Sequence, residues 1–206
     1  QAWTMLALAS AFGLYYVGRD WPGLSKAIGR GLWWAVLGLL LAAALAYPAA
    51  APWGKTGQFA GPATLDGLAY LKRGEPEQYE AIRWLNENVK GTPVLLTAPG
   101  DEWDSSTVIV ASSTGLPTPL GWPDHERQWR GSAKSFQDRR QEIDSIYKTT
   151  DLEVARQLLK KYDISYVYVG PVERRKYPAD GLNKFGSFLD AVYPGDAVTI
   201  YRVKGD

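Results

Sequence analysis

DLEVARQLLKKYDISYVYVGP, residues 151–171, reads as a helix followed at once by a strand. Asp151, after Thr150, has the short carboxylate that accepts the free amides of a first helical turn. Ala155, Leu158, Leu159 and Tyr162 then recur at helical spacing and form one apolar face. ISYVYVG follows, rich in β-branched and aromatic residues, and Gly170-Pro171 ends it. An apolar helix face with a strand directly behind it buries both by folding back, which predicts an α/β fold around a small mixed sheet.

Elements on either side extend this unit. PEQYEAIRWLNENV places Tyr79, Ile82, Leu85 and Val89 at helical spacing behind Pro76 and stops near Lys90-Gly91, a second amphipathic helix. TPVLLTAPG and STVIVASS are short β-rich apolar runs separated by the acidic DEWDS, and each is expected to be a buried strand. QDRRQEIDSIYKTT reads as a helix, LNKFGSFLDAVYPG as another, and AVTIYRV as a last alternating strand. Residues 54–75 are Gly-rich with little periodicity and are expected to be irregular. The span 54–206 is long enough for one core, so a single compact α/β domain is expected there.

The N-terminal part has another solvent. Residues 31–53, GLWWAVLGLLLAAALAYPAAAPW, carry no charge. At about 1.5 Å per residue they cross a hydrocarbon core roughly 30 Å thick. Trp33 and Trp34 near one end, with Tyr47 and Trp53 near the other, suit the two interfaces of a transmembrane helix. The alternative is a buried helix of a soluble protein. Residues 1–17 are apolar but short for a full span and lack the basic start of a secretory signal, which fits the end of a transmembrane helix in a longer polytopic protein. Residues 18–30 hold Arg19, Lys26 and Arg30 against Asp20, and a short basic loop is retained on the cytoplasmic side. That topology puts 54–206 on the extracytoplasmic face of the cytoplasmic membrane; a weak charge bias also allows the inverse.

Composition excludes several chemistries. The 206-residue chain has no Cys and a net charge of +1, so neither disulfides, cysteine metal sites nor broad nucleic-acid binding organises it. No glycine loop matches a nucleotide-binding pattern. His125 with Glu126 fails the zincin pattern, because Trp129 stands where the second His belongs. A Ser-His-Asp triad would need His125 with Ser105, Ser112 or Ser113, none in a nucleophile elbow. Asp101, Glu102, Asp104, Asp124 and Glu126 are oxygen donors for a divalent metal, or a solvated turn after a strand. Glu173-Arg174-Arg175-Lys176 reads as a solvated loop, or a basic run facing anionic membrane lipids.

The densest concentration of chemistry is GLPTPLGWPDHERQWRG, residues 115–131, expected to be an irregular loop. It holds the only histidine, His125. Aromatic faces of Trp122 and Trp129 suit the apolar surface of a sugar, while Asp124, Glu126, Gln128 and Arg130 suit hydroxyls or phosphate. The same residues also suit an interface anchor, since Trp and Arg are enriched in such contacts.

The order TLDGLAYL, YEAIRWLNENV, TGLPTPLGWPDHERQWRG and LLKKYDISYVYVGPVERRKY, over residues 64–203, resembles the C-terminal part of the YYY family of uncharacterised polytopic membrane proteins. TGLPTPLGW with HERQWRG is the most specific piece. That family looks related to the GT-C glycosyltransferases, so the resemblance implies transfer from a polyprenyl-phosphate-linked sugar outside the cytoplasmic membrane. It also implies that the key acid stands in a first extracytoplasmic loop upstream of this chain, that any divalent metal is held mainly by that upstream membrane part, and that this fragment alone is inactive. On that reading His125 and Glu126 are catalytic, and Trp122, Asp124, Gln128, Trp129 and Arg130 bind substrate. The competing class is a non-catalytic membrane-anchored subunit that binds other membrane subunits.

Overall fold

The computed structural model describes residues 1–20, 27–101, 104–131 and 134–203, without the side chains of Asp20, Asp124, Arg130 and 134–136. The chain divides into two compact units, Gln1–Leu65 and Asp66–Asp206.

In the first unit, α1 (Ala2–Asp20) and α2 (Ala27–Lys55) are helical, so helix takes up both ends of the segment read as a basic loop. Residues 21–26 of that segment, with Lys26, lie outside the described residues. Among the described residues, α2 is the one helix long and apolar enough to cross a membrane. None of its residues is buried within the chain. Gly18 of α1 lets the two helices approach, because a Cβ there would meet the Trp34 ring at 3.2 Å.

The second unit runs α3 (Ala69–Gly74), α4 (Pro76–Asn88), β1 (Val94–Leu96), α5 (Ser105–Thr114), α6 (Pro123–Arg130), α7 (Lys134–Lys148), α8 (Leu152–Lys161), β2 (Ile164–Val169), α9 (Pro171–Lys176), α10 (Ala179–Asn183), α11 (Phe185–Phe188), β3 (Asp190–Pro194) and β4 (Thr199–Arg202). Its sheet has the order β1-β2-β4-β3, parallel between β1 and β2 and antiparallel elsewhere, so it is a mixed four-stranded sheet.

Alternation along the strands feeds two cores. Leu96, Val167 and Val169 point to one face and meet Ile143, Ile146 and Tyr147 of α7, Leu159 of α8 and Phe185 of α11. Leu95, Tyr168 and Ile200 point to the other and meet Leu71 of α3, Ile82 and Leu85 of α4 and Val110 of α5. The unit is therefore a helix–sheet–helix sandwich. As expected, Asp151 caps α8 by accepting from the amides of Glu153 and Val154 at 2.9 and 3.2 Å, and α8 lies against β2.

Three sequence expectations are corrected. STVIVASS is not a strand but most of α5: Asp104 Oδ1 accepts from the Ser106 amide at 3.0 Å, Thr107 and Val110 are buried, and left-handed Gly115 closes the helix. A β-branched run that short takes its conformation from its cap and its packing rather than from propensity. The segment LNKFGSFLDAVYPG breaks into α10, α11 and then β3, because Ala191 and Tyr193 pair with Tyr201 and Ile200 of β4. The β3–β4 turn is clasped from α4, where Glu77 Oε2 accepts from the Ala197 and Val198 amides at 2.6 and 3.3 Å. Residues 54–75 are likewise not wholly irregular, since α2 reaches Lys55 and α3 occupies Ala69–Gly74.

The parallel pair is cross-tied by one side chain. The Tyr147 hydroxyl, fully buried, lies 3.1 Å from the Leu96 carbonyl and 2.9 Å from that of Tyr168, and its single proton is shared between them. Removing it in Tyr147→Phe leaves two buried carbonyls short of a donor. The expected cost is about 1–2 kcal/mol, read as a lower urea midpoint at unchanged slope.

Lys184 is buried, donates to the carbonyls of Ile146 at 2.6 Å and of Gly181, and lies over the Phe185 ring at 4.1 Å. Burial pushes its ammonium down to about 8, whereas the unfolded chain keeps the proton to about 10.4. Between those values the unfolded state binds more protons, so this group's contribution to stability rises with pH from 8 toward 10 and is lost as pH falls through 8. Subtracting the stability–pH curve of Lys184→Met from that of the parent should reveal this slope; superimposable slopes would refute it.

Candidate functional site

The segment carrying the candidate residues is built from the carboxyl end of β1 outward. After α5 the chain returns along the outer edge of β1: the Leu95 amide donates to the Pro117 carbonyl at 2.9 Å, and the hydroxyls of Thr97 and Thr118 are 3.1 Å apart. This brings Leu120 into the core and Gly121-Trp122 past the strand end, where Trp122 Nε1 donates to the Asp104 carbonyl at 3.1 Å. Residues 123–130 are not an irregular loop. Pro123 at the first helical position needs no amide partner, and left-handed Gly131 closes the last turn, so α6 is a helix despite its mixed composition.

Helical spacing sorts the predicted residues. Trp122, His125, Glu126 and Trp129 fall on one side of α6 at intervals of three and four. Trp122 and His125 are brought together, rings edge-on with centroids 5.0 Å apart. Glu126 is half-buried, with Oε2 enclosed. Gln128 and Trp129 are exposed, Trp129 at 84%. Asp124 and Gln128 occupy another side of the helix, and the side chains of Asp124 and Arg130 lie outside those described.

Among the described residues no three His, Asp or Glu side chains gather as a metal cluster. Asp101 is instead bound to Arg140 at 2.6 Å, which holds its carboxyl below the ordinary range, while Asp104 Oδ1 caps α5. Glu102 lies outside the described residues.

The strand ends are fixed by residues that were not among the predicted site residues. Glu173 is buried: its Oε1 accepts from the Ala98 amide at 2.8 Å and its Oε2 from the Gly170 amide at 2.9 Å. Burial pushes its carboxyl up, against the two amides that favour the ionised form. Lys176 donates to the Pro99 carbonyl at 2.8 Å and pairs with Asp144 at 3.1 Å, and the Tyr177 hydroxyl donates to Asp144 at 2.7 Å. Arg174 donates to the Ala197 carbonyl and to Thr199 Oγ1, both at 3.2 Å. The run 173–176 is therefore part of helix α9 rather than a loop: Arg174, Arg175 and Lys176 are exposed as expected, while Glu173 is buried. A signal was present: Pro171 at the first position and Glu173 at the third mark a helix start whose acid reaches back to the preceding amide.

By architecture the unit is a mixed α/β sandwich with a four-stranded sheet. No protein-family model matches the chain, and no curated protein matches it. Among solved structures it is similar to the crystal structure of the C-terminal globular domain of an oligosaccharyltransferase from Archaeoglobus fulgidus, at 14% identity and a TM-score of 0.39, over 62% of this chain and 97% of that one. A superposition that loose identifies neither a fold family nor an activity.

Glu173→Gln tests what holds the strand ends. The amide offers one acceptor to two amide donors and sets N–H against N–H at the other, so a loss of about 1.5–3 kcal/mol is expected. Hydrogen exchange should speed up at Ala98 and Gly170 specifically. Unchanged protection at both amides would show that other contacts fix the strand ends.

Proposed function

We propose that this chain is a membrane-anchored part of a GT-C-like transferase acting on a polyprenyl-phosphate-linked sugar, with its α/β unit on the extracytoplasmic side of the cytoplasmic membrane. The observation that carries the reading is α6 itself. It sets an imidazole edge-on to one indole, with a half-buried carboxylate and a second, exposed indole on the same side, beyond the carboxyl end of a parallel strand. Crevices outside the carboxyl ends of parallel strands are where α/β sheets bind ligands. The apolar α2 supplies the anchor, and the family resemblance of residues 114–131 supports the chemistry.

In this transfer an acceptor oxygen bonds to the anomeric carbon while the bond from that carbon to phosphate oxygen breaks. The acceptor's proton passes to a base, and the phosphate leaves with the electron pair. His125 is suited to carry a proton near neutral pH, with Glu126 orienting it or the acceptor. Arg130 would face the departing phosphate, and the Trp122 and Trp129 faces would wall the sugar ring. Asp124 and Gln128 would bond hydroxyls. On the family resemblance, the acid that completes the reaction would come from a first extracytoplasmic loop upstream, and any divalent metal would be held mainly by the upstream membrane part.

Trp129's exposure favours a second reading, in which α6 anchors a partner subunit and performs no chemistry.

The test is transfer of labelled sugar from polyprenyl phosphate by membranes containing the full-length protein, beside His125→Ala, Glu126→Ala and Trp129→Ala at equal expression. The transferase reading expects His125→Ala to lose about 10²–10⁴-fold, the range of a general acid–base group, and Trp129→Ala to raise KM more than it lowers kcat. Full transfer by the His125 and Glu126 variants, with loss of a co-purifying membrane subunit in Trp129→Ala, would establish the partner reading instead.

A further inference from the structure

Beyond the last turn of α2 the chain makes an unusual closure. Gly57, Gln58 and Phe59 take φ values of +59°, +61° and +58° in succession, so two residues with side chains sit in left-handed backbone. That conformation costs roughly 1–2 kcal/mol for each such residue. The closure folds Phe59 back onto Trp53, edge-on with centroids 5.9 Å apart. Both rings nevertheless remain open, Trp53 at 53% and Phe59 at 61%. Backbone strain that ends in an exposed aromatic pair gains little in water.

The closure also pairs three of the carbonyls at the helix end within the chain. Helix C-termini leave carbonyls without intrahelical partners. Here the Pro52 carbonyl accepts from the Thr56 amide at 3.0 Å and from Thr56 Oγ1 at 2.6 Å, the Trp53 carbonyl from the Gln58 amide at 2.8 Å, and the Gly54 carbonyl from the Gly57 amide at 3.3 Å. Thr56 Oγ1 in turn accepts from the Phe59 amide at 3.2 Å. Carbonyls paired within the chain need less water, which suits a turn at the edge of the hydrocarbon.

Length sets the depth. The 29 residues of α2 extend about 43 Å at 1.5 Å per residue, longer than a hydrocarbon core of about 30 Å. Trp34 and Trp53 stand 19 residues apart, about 28 Å along the axis, which places one indole at each boundary. Lys55, exposed, follows Trp53 by two residues, so its ammonium would reach lipid phosphates when that indole stands at the boundary.

We infer that the closed turn Lys55–Ala60 is a built interfacial anchor: Trp53 and the folded-back Phe59 seat in the headgroup–acyl boundary of a phospholipid bilayer, Lys55 meets the phosphates, and Thr56 clasps the turn. The inference rests on the membrane-anchor reading above. It assigns a function to the strain, which is to fix the depth of α2 and the height at which the chain leaves the bilayer.

The chain contains no Cys, so one introduced thiol carries one environment-sensitive fluorophore. Ala60→Cys and, separately, Leu40→Cys in mid-helix would be labelled in the full chain reconstituted into vesicles of phosphatidylcholine and phosphatidylglycerol in equal parts. The fluorophore at 60 is expected to be quenched by lipids spin-labelled near the headgroup and shielded from aqueous iodide. Adding Phe59→Ser or Thr56→Ala should raise its iodide quenching several-fold while position 40 stays deep. A position 60 open to iodide in the parent, or unmoved by Phe59→Ser, with position 40 deep, overturns the anchor and leaves the membrane reading standing. Both positions open to iodide would overturn the two together.

Discussion

The α/β unit depends on one carboxylate. Parallel strands cannot be joined by a tight turn, so β1 and β2 meet only after α5 to α8 have been placed, and nothing local fixes their ends. Glu173 supplies that constraint by taking the Ala98 amide with one oxygen and the Gly170 amide with the other. Tyr147 repeats the tie further in, between the carbonyls of Leu96 and Tyr168. In a low-dielectric interior such bonds are strong and an unmet partner is costly, so register and stability come from the same atoms. Lys176 then holds Pro99 and Arg140 holds Asp101, which settles the path of the chain as it leaves β1.

What could be read from sequence was what repeats with a period. The α8–β2 pair, α4 and the apolar α2 each carry many residues in agreement, and each element was foreseeable. Where only a few residues vote, context decides. Val108, Ile109 and Val110 read as strand, yet Asp104 caps them into a helix against α4, whose Asn86 donates to the Ser113 carbonyl. Ala191 to Pro194 read as the end of a helix, yet β4 offers an edge and Glu77 clasps the connecting turn. Glu77 and Ala197 stand far apart in sequence, and no local pattern announces such a bond.

The candidate site divides in the same way. The concentration of His125, Glu126 and two tryptophans was visible as composition, but its helical form was not, because eight residues make barely two turns, too few for a period to repeat. Its punctuation, Pro123 and Gly131, was the readable part. The supporting layer was harder still. Asp101 could be read as part of a solvated turn or as a metal donor; it is exposed, and its partner Arg140 comes from a distant helix that no local pattern announces. Glu173 looked solvated because its neighbours are basic, although those neighbours spend their charge on Pro99, Asp144 and Ala197.

These supports explain how so short a helix as α6 is held in place. A helix of eight residues is too short to persist by its own hydrogen bonds, and its apolar investment is small because Trp129 stays in solvent. It is held instead at its start, through the Trp122 indole on the Asp104 carbonyl, and by packing on α7. The Asp104 backbone is in turn set by the cap of α5 and by Gly100, where a Cβ would fall 1.9 Å from Thr107 Oγ1. Elements with few buried apolar contacts open at the low end of a protein's stability range, and binding surfaces are drawn from that end. The cap of α5 and the Trp122–Asp104 bond therefore fix where α6 begins, and the side chains proposed for recognition, Trp122 among them, stand on the turns that follow.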